Sequence, residues 1–214
     1  MVRYSIDNAL IKTFCELINM VIQTQKQYYS PEEYLELEET AEYKNEYRDG
    51  EIIPMTGGTT NHNKIAGNFY KKFPSTIEGQ NYDVYIGDVK VSIPNYRLYT
   101  YPDVMVIKGE PIYESKGKNV VTNPTLIVEV LSNYTKNYDR TDKFKFYRSI
   151  PTFQEYILID QYSFAVEQFI KQAAGQWLFK EYESEDAVLV LDSVNFQIPL
   201  HDIYERVNFE LSEE

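Results

Sequence analysis

Cysteine occurs once in the 214 residues, at Cys15, and histidine twice, at His62 and His201. One cysteine excludes an intrachain disulfide framework and a zinc site built from thiolates. Two histidines make a multi-histidine zinc site equally poor, so any bound metal is expected to be a hard ion held by carboxylates. Long apolar runs are missing as well. Residues 6–22 come nearest, but Asp7, Lys12 and Glu16 interrupt them. Neither a signal peptide nor a membrane span is expected, and a reducing, cytoplasmic setting is the default. Internal repeats, low-complexity tracts and Gly/Ser linkers are also lacking, which points to one domain with a sizeable core and at most an appendage.

Positive charge is scarce. With 21 basic against 33 acidic residues, the net charge is −12. Broad, non-specific attachment to nucleic acid draws its affinity from Lys and Arg neutralising phosphates, so this balance argues against it. A local basic groove is still compatible with it, and so is a site where divalent cations reverse the sign.

What is present is an ordinary globular share of hydrophobic residues, 43%, and an unusual 20 tyrosines. A tyrosine ring packs while its hydroxyl bonds, so most of them read as the margin of a core, with an interface or stacking surface as the sharper alternative. Residues 5–26 carry Ile6, Leu10, Phe14, Leu17, Ile18, Val21 and Ile22 at helical spacing. Ser30, Pro31 and Glu33 form a capping box that opens a short helix. Asp49-Gly50, between strand-like runs, predicts a tight hairpin. After the Gly57-Gly58 break, Thr60 or Asn61 is placed to cap a second helix through Ile65, Phe69 and Phe73, ending at Pro74.

Strands are expected over 82–93, 103–107, 126–131 and 155–160, with a helix over about 138–150 stopped by Pro151. A hairpin over 165–170 and 177–182 follows, and then a strand over 187–191 and a short closing turn or helix over 197–207. Helices followed by a mixed sheet with one strand–helix–strand unit give an α+β or α/β domain.

The stretch PTLIVEVLS, residues 124–132, would read as a fully buried strand were it not for Glu129. An ionised carboxylate in such a place demands a partner, a proton or a metal. Ile127 and Leu131 share its face, while Val128 and Val130 point the other way. Asp103 lies 26 residues earlier (129 − 103), where another strand begins. On the helix that follows, Lys143, Phe146, Tyr147 and Ile150 fall on one inward face, and Lys145 points to water. Two readings fit equally: a structural Glu129–Lys143 ion pair with Asp103 capping a turn, or two carboxylates that hold Mg²⁺ beside a charge-stabilising lysine. Asp88 reads as structural.

Four segments in order, YPDVMV (101–106), NPTLIVEVLS (123–132), YDRTDKF (138–144) and QEYILID (154–160), resemble the Uma2 (DUF820) family of restriction endonuclease-like proteins. The similarity runs from about Ser30 to Val207. Residues 1–29 would then form a peripheral helical extension and 208–214 an acidic tail.

The resemblance implies a restriction endonuclease-like fold of the PD-(D/E)xK nuclease superfamily, a mixed β-sheet core flanked by helices. Asp103 matches the aspartate of the family's Pro-Asp motif, and Glu129 its second metal-binding carboxylate. The lysine common in this superfamily two residues after that acid is replaced by Leu131. Lys143 on the following helix takes its place, as in the family. Glu46 matches a third acidic position, with an exposed hairpin charge as the equal alternative, and His62 a family position suited to a proton shuttle or phosphate contact, or else to a helix-start cap or packing role. Tyr147 lies on the Lys143 face, where it packs in the core or orients the lysine by hydrogen bonding. A Mg²⁺- or Mn²⁺-dependent endodeoxyribonuclease acting on DNA as a homodimer, with no membrane attachment, is the implied activity. A catalytically silent module that binds nucleic acid or protein, and cleavage of RNA or another phosphoester by the same residues, stand beside it as alternatives.

Overall fold

The computed structural model describes residues 28–114 and 117–210. The helix read over residues 5–26, most of the N-terminal extension and the last four residues of the acidic tail lie outside them. Ser30 caps α1 (Pro31–Glu39) with the expected box: its hydroxyl accepts from Glu33 N at 3.1 Å, and the Glu33 carboxylate accepts from Ser30 N at 2.7 Å. Next come β1 (Asn45–Arg48) and β2 (Glu51–Pro54), paired antiparallel with Arg48 opposite Glu51. Asp49 and Gly50 form the two-residue turn with φ of 41° and 97°, the positive pair that suits the twist of a hairpin. Helix α2 (Thr60–Lys72) begins one residue earlier than expected, because Thr59 is the N-cap and accepts from His62 N at 3.1 Å.

The run expected as one strand over 82–93 is two. β4 (Gln80–Ile86) ends at Gly87, whose φ of 63° turns the chain, and β5 (Lys90–Ile93) continues in a different sheet. Their mates are β3 (Thr76–Ile77), β6 (Leu98–Thr100), β7 (Val104–Lys108) and β8 (Val120–Val121). β9 (Leu126–Leu131) is buried at every position and leads into a helical segment. That segment is α3 (Lys136–Tyr138), a π-helical turn (Asp139–Lys143) and α4 (Phe144–Tyr147). β10 (Glu155–Asp160) returns parallel to β9, with Leu158 beside Glu129, and completes the strand–helix–strand unit. β11 (Val166–Ala173) and β12 (Gln176–Tyr182) extend the sheet, while β13 (Val188–Leu191), β14 (Phe196–Pro199) and α5 (Leu200–Ile203) close the domain.

Among the described residues the central sheet runs β12-β11-β10-β9-β7-β4-β3, beside a five-stranded sheet ordered β2-β1-β6-β5-β8. Alternation along β9 sorts its side chains into two cores. Val128 and Val130 join Ile65 and Phe69 of α2 and the closing hairpin, whereas Ile127 and Leu131 pack with β5, β6 and the aromatic face of α4. Glu129 therefore points toward the side on which the smaller sheet and the 136–147 helical segment meet the central one. A third cluster, Tyr34, Tyr47 and Tyr99, packs α1 onto the smaller sheet with ring centroids 5.1–5.9 Å apart, so the tyrosine wealth there is core.

Candidate active site

β7 and β9 are antiparallel, with Val104 opposite Val128, and one more step of that register sets Asp103 opposite Glu129. β7 has ended by then, and β9 has not. The Asp103 carboxylate takes the place of the missing strand: its Oδ2 accepts from Val130 N at 2.8 Å. Glu129 Oε2 in turn lies 3.4 Å from Asp103 N. The two acids thus brace each other where the ladder splits, and the split opens into a cleft of about 870 Å³.

The helical segment closes one side. Lys143 Nζ is 3.0 Å from Glu129 Oε1 and 3.3 Å from Asp139 Oδ1, one turn earlier on the same face. Tyr147, fully buried, donates from its hydroxyl to Glu129 Oε1 at 2.8 Å. It therefore orients the acid rather than the lysine. Phe146 and Ile150 are buried beside it, as the inward face requires. π-helical turns recur at functional sites because they re-aim side chains within a helix.

From the opposite wall, His62 Nε2 reaches Asp103 Oδ2 at 3.0 Å. Its placement rests on α2: the Thr59 hydroxyl caps the helix and donates to Gln161 Oε1, and Gln161 Nε2 donates to Leu131 O at 2.9 Å. Gly58 gives the ring room, since a Cβ there would stand 2.9 Å from His62 Nδ1. Glu46 is buried and hydrogen-bonded to the Thr100 hydroxyl, close enough to act on the charge of Lys143 without lining the cleft. Asp88 is outside, paired with Lys44.

Burial pushes the Glu129 carboxyl up to about 8, against the pull of Lys143 and with a further push from Asp103 and Asp139. Burial would lower Lys143, yet Glu129, Asp139 and Glu46 hold it well above its ordinary value. The two shifts have different sources: burial raises Glu129, whereas the carboxylates around Lys143 raise it against burial. Asp103 is lowered, because the bond and charge of His62 outweigh desolvation, and His62 is raised by Asp103 against its own burial.

The sequence from residue 31 to 201 matches the model of the family described as "Uma2: Putative restriction endonuclease". The chain belongs to the Uma2 family. Two similar proteins come from Synechocystis sp. (strain ATCC 27184 / PCC 6803 / Kazusa). "Uncharacterized protein sll1609" is 42% identical over 168 residues, covering 78% of this chain and 94% of that one. "Uncharacterized protein slr1290" is 36% identical over 180 residues, covering 84% and 93%. A crystal structure of "a putative nuclease belonging to DUF820" from Anabaena variabilis ATCC 29413 has the same fold, with a TM-score of 0.65 at 18% identity over 82% of this chain and 97% of that one.

Within this Uma2 chain the structure brings Asp103, Glu129, Lys143, Tyr147 and His62 together and sets Glu46 behind them. Leu131 is buried in the core shared with α4. Sequence reasoning missed Asp139, Gln161 and Thr59. Asp139 had a legible signal, four residues before an inward lysine and so on its face. Gln161 and Thr59 had none, since their bond joins residues 102 positions apart.

Proposed function

We propose that this Uma2 protein is a metal-dependent endonuclease that hydrolyses phosphodiester bonds of DNA. The observation that carries the reading is the convergence of Asp103, Glu129 and Lys143 in one cleft, each from a different segment of the chain. Among the described residues no three His, Cys, Asp or Glu side chains form a metal cage. In this reading Mg²⁺ or Mn²⁺ would be held by two carboxylates, Asp103 and Glu129; Mg²⁺ commonly takes one or two carboxylates and fills its shell with water and phosphate. Such an ion, when bound, polarises a phosphoryl oxygen and acidifies a water.

The chain's own residues do the rest. Lys143 supplies a fixed positive charge where a pentavalent phosphoryl group accumulates negative charge. Asp139 keeps that ammonium in place when Glu129 turns to another partner. Tyr147 holds one Glu129 oxygen and so fixes the direction of the other. His62 offsets the charge of Asp103 and offers a proton at the cleft wall.

The test is incubation of purified protein with plasmid and linear DNA in Mg²⁺ or Mn²⁺, beside Glu129→Ala and Lys143→Ala. Nicked or linear product from the parent and a loss of about 10²–10³-fold in both variants is expected. Equal background from all three would sink the proposal. A second reading, a silent module, is favoured by one observation: Lys143 and Tyr147 both engage Glu129 Oε1, and Lys143 also pairs with Asp139, as in a structural ion-pair cluster. Calorimetric titration separates the two, because the silent module takes up neither Mg²⁺ nor Mn²⁺ at millimolar concentration.

A further inference from the structure

Among the described residues the two most exposed large apolar or aromatic side chains are Tyr134, at 88%, and Tyr43, at 71%. Both line the cleft, from separate segments: Tyr43 just before β1 and Tyr134 in the turn after β9. A ring so bare gains nothing from packing, and two at one mouth offer faces for a flat partner.

The groups beneath are recessed. Glu129 and Asp139 expose 3% and 2% of their side chains, and Lys143 10%. The lining cations are few and each is already engaged. Lys44 bonds Asp88 and the Gly87 carbonyl, Lys143 bonds Glu129 and Asp139, and His62 bonds Asp103. A duplex is gripped by its backbone through Lys and Arg that neutralise phosphates, and these lining residues supply few of them. A duplex also keeps its base faces stacked on one another and shows only edges in its grooves.

We infer that the cleft takes an unpaired stretch of polynucleotide, with bases stacked on Tyr43 and Tyr134 and the backbone let down to the recessed acids. This rests on the nuclease reading above and adds the state of the strand to it. Stacking on a ring requires a free base face, which a single strand or a locally opened duplex provides.

The test is fluorescence anisotropy in Mg²⁺, read before cleavage, with labelled single-stranded DNA, single-stranded RNA and the matched blunt duplex. The proteins are the full chain, Tyr43→Ala, Tyr134→Ala and the two Tyr→Phe counterparts. Single strands should bind about tenfold or more tighter than duplex, and each Ala variant should lose about fivefold or more, while Phe retains the affinity. The two single strands separate a deoxyribose from a ribose preference. Duplex bound as tightly as single strand, or Ala variants that bind like the parent, overturns the inference and leaves plasmid cleavage to judge the nuclease reading alone. Failure of every protein to bind any of the three overturns both.

Discussion

Two buried glutamates sit on adjacent parallel strands, Glu129 on β9 and Glu155 on β10, and they have been handled in opposite ways. Glu155 is fully buried and satisfied by uncharged donors: Gln168 Nε2, Ser193 N at 3.0 Å and Ser193 Oγ at 2.5 Å. Those bonds tie the turn between β13 and β14 to the sheet. Glu129 is met by an ammonium, a tyrosine hydroxyl and the backbone of a second acid, and it lines a cleft. Burial raises both carboxyls. A buried acid is thus no sign of chemistry by itself. The sign is an acid whose partners are themselves charged and whose site is open on one side.

The widest separation between the two is expected in activity. Glu129→Gln should lower plasmid cleavage by about 10²–10³-fold, as should Lys143→Ala, whereas Glu155→Gln should stay within a few-fold once folded protein is compared. A Glu155 variant as inactive as Glu129→Gln would erase the distinction.

Stability should part them next. Glu155→Ala strands three buried donors and should cost about 1–3 kcal/mol in denaturant unfolding. At the other site the pair matters: Lys143→Met alone leaves charges buried and should cost about 3–5 kcal/mol, while Glu129→Leu with Lys143→Met should cost less than the sum of the singles.

Acidity gives a finer contrast. For Glu129, the unfolded carboxyl ionises near its ordinary 4.5 and the folded one near 8. Its contribution is therefore fully present below 4.5 and is lost as pH rises to about 8. Asp103 runs the other way, contributing above its ordinary 3.8 and losing that as pH falls through its depressed folded value. Glu155, also raised, follows Glu129 in sign. Mn²⁺ should tell them apart, since a metal that displaces the Glu129 proton binds more tightly as pH rises and flattens the loss of stability, with proton release visible by calorimetry. The same flattening in Glu129→Gln would count against that assignment. The smallest effect belongs to Thr59→Ala, about 1 kcal/mol from the lost cap, together with a partial loss of cleavage through His62.

Much of this was legible beforehand, for physical reasons that can be named. The Asp49-Gly50 turn announces itself because few residues accept two positive φ values. The two faces of β9 follow from a period of two, and the inward lysine from a period of 3.6. The false continuity over 82–93 arose because apolar alternation runs on through the bend, and only Gly87 marks the change of sheet. The π-helical turn leaves no trace in a residue pattern. The bond from His62 to Asp103 joins segments that only the packing of α2 onto the sheet brings together.

A lysine two residues beyond the acid on β9 would be tied to it by roughly 7 Å of extended backbone. Lys143 is 14 residues away (143 − 129), and its alignment comes instead from how α4 seats against the sheet, with Phe144 stacked 5.5 Å from Tyr156 and Tyr147 against Phe153 at 5.7 Å. The site is in this sense a mechanical assembly whose tolerance is set by aromatic bearings, one of which, Tyr147, also holds the acid it seats. Wear in those bearings would put it out of true while every polar residue stayed in place.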